Sequence, residues 1–172
     1  MAWTSPRTWV ANAIVTAAQL NTHLRDNLTW LYSAKHGLFG RLAALDVPTG
    51  TWTPIEWDFD VEQDPTMWAA SPYPERITPP LGGIWLVSLN VRWEATTGTG
   101  SRAIRMQQNG VGLLDQQEIT MANATQYQRL QYVVRFNGST DSLNCGAWQN
   151  SGSTQTLAAA AARGISLTWL GD

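Results

Sequence analysis

The 172-residue chain is long enough for one domain, alone or with an appendage. Charged residues supply only 14% of it, so its surface must be built from Thr, Ser, Gln, Asn and Gly, or be partly hidden against other chains. A formal net charge of -2 offers no basic field for a phosphate backbone, which argues against nucleic acid as a partner, and no apolar run approaches the ~18 residues of a membrane span, which argues against insertion.

The chain opens with MAWTSPRTWVANAIV, which has two tryptophans and no hydrophobic period of its own. Pro6, Asn12 and Thr16 interrupt the aliphatic run, so a secretion signal is set aside. Residues 1–15 read instead as an extended arm in which Trp3 and Trp9 need a surface to pack on, and that surface is expected to belong to another protein. Thr16 then reads as an N-cap, with Gln19 completing a capping box and Val15 placed to staple onto Leu20. From there Ala17, Leu20, Leu24, Asn27, Leu31 and Ala34 follow the steps of three and four of a coiled-coil seam, Asn27 being its polar member and Leu28 widening the stripe. This predicts a helix over 16–36 that bundles with copies of itself, stopped by Gly37 and Gly40, with 37–50 as a linker. The alternative is an amphipathic helix lying on its own domain.

Beyond Gly50 the helical period disappears, and Gly, Pro, Asn and Ser clusters separate short alternating runs, the pattern of an all-β sandwich or barrel over 51–172. TWTPIEWDFDVEQD is the first strand region, with Trp57 and Phe59 on one face. GGIWLVSLNVRWEA is the clearest strand, placing Trp85, Val87, Leu89, Val91 and Trp93 on one side and Ser88, Asn90, Arg92 and Glu94 on the other. SRAIRMQQNG turns Ile104 and Met106 inward and ends in an Asn109-Gly110 turn. TQYQRLQYVVRFNG alternates Leu130, Tyr132, Val134 and Phe136 against Gln131, Val133 and Arg135, and DSLNCGAWQNSG carries Leu143, Cys145 and Ala147 on one side more weakly. LAAAAARG, 157–164, reads as a loop, and ISLTWLGD as the last strand.

ITPPLGGIWLVSLNVRWEA followed by SRAIRMQQNG resembles the bacteriophage form of the C1q/TNF-like jelly roll: proline, glycine, an aromatic, alternating apolar residues, then Arg and an Asn-Gly turn. TWVANAIVTAAQLNTHLRDNL resembles a segment common near the N-termini of phage virion proteins. The sequence departs from the animal C1q proteins in having no collagen-like stem and no phenylalanine-glycine ending in its last strand. The resemblance implies a mainly β, antiparallel jelly-roll knob preceded by the arm and one α-helix, homotrimeric, mounted on a phage tail or capsid. It implies other virion proteins as partners through the arm, and a host surface glycan or protein as a partner of the knob.

Sites for chemistry are sparse. His23 and His36 lie thirteen positions apart with no constellation around them and read as solvated, and no nucleophile, P-loop or paired-cysteine motif occurs, so neither enzymatic activity nor a cofactor is expected. Cys145 is the single cysteine, which rules out an intrachain disulfide. Glu56, Asp58, Asp60, Glu62 and Asp64 alternate along the first strand region, and carboxylates two apart share a face about 7 Å from one another. They read as a charged face that keeps an edge strand from pairing, with Asp58 and Asp60 as the one candidate calcium pair. Candidate contact loops are 96–100, 120–126 and 150–155, all polar. Host attachment by this multivalent knob is the leading expectation. A structural adaptor binding only virion proteins, and a carbohydrate-binding module using exposed tryptophans, are the alternatives.

Overall fold

The structure is a computed structural model that describes residues 4–5, 7–32, 36–62, 66–96 and 98–171, and it divides into two compact units, 1–34 and 35–172.

In the first unit an irregular arm leads to α1 (Ala17–Leu20), a π-helical stretch (Asn21–Asp26) and α2 (Asn27–Tyr32). Thr16 caps as its sequence suggests: its hydroxyl accepts from the Gln19 amide at 3.3 Å, and its own amide donates to Gln19 Oε1 at 3.1 Å. The uniform coiled-coil seam expected across 16–36 is corrected by the π stretch, because its wider turn breaks the 3.5-residue period that a seam requires. Asn27 turns inward, only 5% exposed, and is no member of an outward seam. Its amide clamps the arm, accepting from the Thr4 N–H at 3.0 Å and donating to the Thr4 carbonyl at 2.8 Å.

The second unit is a sandwich of two antiparallel sheets. Its strands in chain order are β1 (His36–Arg41), β2 (Leu45–Val47), β3 (Thr53–Pro54), β4 (Phe59–Glu62), β5 (Arg76–Ile77), β6 (Gly82–Trp93), β7 (Ser101–Gln108), β8 (Gly112–Thr120), β9 (Gln126–Asn137), β10 (Leu143–Gln149), β11 (Gln155–Leu157) and β12 (Ala160–Gly171). In the first sheet β9 pairs with β6 over its whole length, so β12 and β11 share the other edge of β6 in succession, followed by β1 and β2, with β4 outermost against β1. The second sheet runs β8, β7, β10, and then β3 and β5 side by side along the far edge of β10.

Period-two alternation explains the core. Trp85, Val87, Leu89 and Trp93 of β6 are buried against Ile104 and Met106 of β7, Leu143 and Ala147 of β10, and Ile165 and Leu167 of β12. Each valine, leucine, isoleucine or methionine among them contributes roughly 1.5–3 kcal/mol by leaving water. Tyr132 departs from the pattern: it shares the inward phase of Leu130 and Val134 yet is exposed. Asn109 and Gly110 both adopt positive φ and close the β7–β8 hairpin as their sequence suggests.

The boundaries differ from the sequence reading in two places. The expected linker 37–50 holds β1 and β2, with Phe39 and Val47 fully buried, so the jelly roll begins at His36 and not at 51. Gly37 is a position of close approach inside a strand, since a Cβ there would collide with Met67 and the Phe39 ring. The expected loop at 157–164 instead contributes to β11 and β12, and Gly164 is buried where a Cβ would strike the Trp57 ring. Both glycines resemble breakers in sequence, yet each makes room for an aromatic ring.

Candidate functional site

In the N-terminal unit the aliphatic residues face outward. Leu20, Leu24 and Leu28 recur every four residues and are 43%, 51% and 60% exposed, and Trp9, Val10, Ile14 and Val15 of the arm are exposed as well. Alternating α and π turns keep steps of four on one side, because four residues overshoot an α turn and fall short of a π turn. Trp9 is held in place by an edge contact with His23, ring centroids 6.2 Å apart, and by the Arg7 guanidinium 5.5 Å from its own centroid. Of the residues expected to dock or oligomerise, Trp9, Val15, Leu20 and Leu24 thus lie on the outside of this unit. Asn27 is spent within it, and Trp3 and the Leu31 side chain fall outside the described residues.

In the jelly roll the three polar loops singled out in the sequence converge on one end. The Gly100 carbonyl accepts from the Met121 amide at 2.8 Å, Asn150 Oδ1 accepts from the Ser101 amide at 2.6 Å, and Asn123 Oδ1 accepts from the Gly98 amide at 3.4 Å. Beneath them lies Arg102, fully buried in the inward phase of Ile104 and Met106. It donates to Gln126 Oε1 at 2.8 Å, to the Glu94 carbonyl at 3.1 Å and to Gln155 Oε1 at 3.1 Å, with its guanidinium 5.1 Å from the Trp93 ring centroid. One cation therefore ties the starts or ends of all three loops through neutral acceptors, and burial lowers its pKa. Trp93 donates to Gln128 Oε1 at 2.7 Å, and Gln149 donates to the Val47 and Ser153 carbonyls at 3.0 and 2.7 Å, which extends the buried polar layer. This network was missed in the sequence, although the phase of SRAIRM already placed Arg102 with the inward residues.

The outer face of the first sheet is a second feature that pattern reading missed. A trough of about 640 Å³ is bordered by Leu38, Leu86, Ser88, Asn90, Gln131 and Ser166. Ser88 Oγ is buried there without a hydrogen-bond partner, while Val133 and Leu170 are exposed on the same side of the sheet.

The two calcium candidates, Asp58 and Asp60, have separate surroundings. Asp58 accepts from the Leu42 amide through both oxygens, at 2.7 and 2.9 Å, and from the Ala43 amide at 3.2 Å, closing the turn after β1. Asp60 sits on β4 opposite Phe39. Among the described residues no three His, Cys, Asp or Glu side chains gather to hold a metal ion. Arg41, beside Asp58 and Glu56, donates to the Glu56 carbonyl, and its pKa is lowered by burial against the opposing pull of the two carboxylates. Of the expected solvated histidines, His23 carries a buried Nδ1 without a hydrogen-bond partner, and His36 begins β1. Cys145 is buried in the core, and desolvation pushes its thiol pKa far up.

The jelly-roll geometry has counterparts among solved structures. The Eiger TNF from S. frugiperda superposes with a TM-score of 0.52 at 15% identity, over 81% of this chain and 93% of that one. Murine APRIL at pH 5.0 superposes with a TM-score of 0.51 at 14% identity, over 79% of this chain and 100% of that one. Identities this low establish the shared TNF-like jelly-roll fold and no more. No protein-family model matches the sequence, and no curated protein matches it in a sequence comparison.

Proposed function

We propose that this chain is a bacteriophage virion protein whose N-terminal unit assembles with copies of itself and docks into the particle, while the jelly roll forms a trimeric head used in host attachment. The observation that carries the reading is the aliphatic face Leu20, Leu24 and Leu28 with Trp9, Val10 and Ile14, left open to water in its own unit. Each leucine would add roughly 1.5–3 kcal/mol on burial, multiplied over every copy in the assembly. Two further observations support it. The trough on the first sheet combines exposed aliphatics with an unsatisfied hydroxyl, which suits a partner surface that brings both apolar contacts and a hydrogen bond. The three polar loops, pinned to one end by Arg102, provide a preorganised set of contacts that trimerisation would triple. Assignment to a phage rests on the N-terminal string TWVANAIVTAAQLNTHLRDNL.

Native mass spectrometry of the full chain tests the assembly. The expected result is a trimer that shifts to monomer when Leu20, Leu24 and Leu28 are all changed to Ser, with the far-UV spectrum of the sandwich retained. A wild-type monomer at micromolar concentration overturns the reading.

A further inference from the structure

We infer that the outer face of the second sheet carries a binding site for an acidic sugar residue, a hexuronate, centred on Arg105 where it lies against Trp52; this deepens the attachment reading and rests on it.

The site is built by strand register. Trp52 immediately precedes β3, whose Thr53 and Pro54 pair with Ala147 and Gly146 of β10, so Trp52 falls beside Trp148 on the outer face. Gly146 in turn lies opposite Arg105 of β7. A Cβ at Gly146 would stand 3.3 Å from Arg105 Nε and 3.4 Å from the Trp52 ring, so the glycine provides the floor on which both side chains lie down. The Arg105 guanidinium sits 4.1 Å from the Trp52 centroid, and the Trp148 ring is tilted 34° to Trp52 with centroids 6.4 Å apart. Glu75, Gln107 and Asn144 complete a cavity of about 210 Å³, below the ~300–1,000 Å³ of sites for larger ligands and suited to a single ring.

Arg105 is the residue that lacks a reason to be there. Arg102 on the same strand reaches three oxygens and Arg41 reaches a carbonyl, whereas no described residue accepts a hydrogen bond from the Arg105 guanidinium. Its Nε is buried and unpartnered, as are those of Arg41 and Arg102, but here no terminal nitrogen finds a described acceptor either, and desolvation lowers its pKa with no carboxylate to offset it. A partly desolvated guanidinium presented on an aromatic ring favours a ligand that brings a planar carboxylate. Glu75, half-buried and 3.6 Å from Arg76, accepts from hydroxyl donors, and Asn144 and Gln107 can both donate and accept. The Trp52 ring, which borders the cavity, offers an apolar surface to a ring's C–H face. A hexuronate combines all three features: a carboxylate, hydroxyls and a flat aliphatic face.

Isothermal titration of the full-length protein with tetragalacturonate, and with maltotetraose as the neutral control, tests the site. The expected result is saturable tetragalacturonate binding that weakens at least tenfold in Arg105→Gln and in Trp52→Ala, weakens with added salt, and is at least tenfold tighter than maltotetraose binding. Arg135→Gln, on the other sheet, should bind as wild type. Should a variant fail to fold, side-chain amide NMR of the wild type decides: shifts at Asn144 and Gln107 on titration support the site, and shifts confined elsewhere overturn it. Absence of wild-type binding, equal affinity for the two sugars, or undiminished binding by folded Arg105→Gln also overturns it. Native mass measured on the same samples separates the two readings. A trimer indifferent to hexuronate overturns the sugar site alone, and a monomer that binds it overturns the assembly alone.

Discussion

Replacing Trp93 by Phe probes the buried polar layer that holds the three loops. Trp93 is fully buried, its indole N–H is the donor to Gln128 Oε1, and its ring lies under the Arg102 guanidinium. Phenylalanine removes the donor and orphans a buried amide oxygen, a cost of about 1–3 kcal/mol. The lost ring atoms leave a small cavity and a weaker cation–π contact, together about 2 kcal/mol. The expected destabilisation is thus about 3–5 kcal/mol, or a fall of about 1.5–2.5 M in the urea midpoint for a slope near 2 kcal/mol per M. Equilibrium unfolding followed by circular dichroism, at one fixed protein concentration because assembly adds to apparent stability, measures it. Changing Gln128 to Leu in the same protein removes the orphaned oxygen, so the double variant should be more stable than the sum of the singles predicts by about 1 kcal/mol or more. Additivity within about 0.5 kcal/mol, or a single-variant loss below 1 kcal/mol, would refute the argument that this hydrogen bond organises the layer.

Two further predictions concern packing and ionisation. Gly164→Ala forces a methyl group into the Trp57 ring, with the Phe39 carbonyl at 3.2 Å on its other side, and should cost about 1–3 kcal/mol; Tm relative to wild type reports it, and an unchanged Tm would contradict the close approach. Burial keeps the Cys145 thiol protonated in the native state, whereas the unfolded chain ionises above pH ~8.5. Stability from this residue is therefore complete below that pH and declines as pH rises above it, by up to about 1.4 kcal/mol per pH unit. The urea midpoint should fall more steeply between pH 8 and 10 in wild type than in Cys145→Ala, and parallel declines would count against it. Thiol reagents should label the native protein only as fast as it opens.

How much was legible in the sequence depended on whether a residue's role is set by its neighbours along the chain. The capping box at Thr16, the Asn109-Gly110 turn and the inward phases of β6, β7, β10 and β12 were readable because each follows from local backbone geometry or from period two. The polar contact loops were readable as loops, but their convergence on one end was not, since it depends on strands far apart in sequence.

The sequence by itself determined the class of fold: alternation along the longer strands requires a two-faced sheet, and tryptophans in the inward phase require a second sheet to cover them. Tertiary structure alone decided what Gly37, Gly164 and Gly146 are for, because a missing Cβ gains meaning only from the side chain that packing lays over it. It also decided that Arg102 reaches three oxygens through its terminal nitrogens while no described residue accepts from Arg105, although the two lie three residues apart on one strand, because successive faces of a strand meet different partners. In the N-terminal unit, Asn27 is bonded to the arm after a π turn, and the leucines lie outside. Packing and hydrogen bonding between groups distant in sequence made these assignments, and no local rule encodes them.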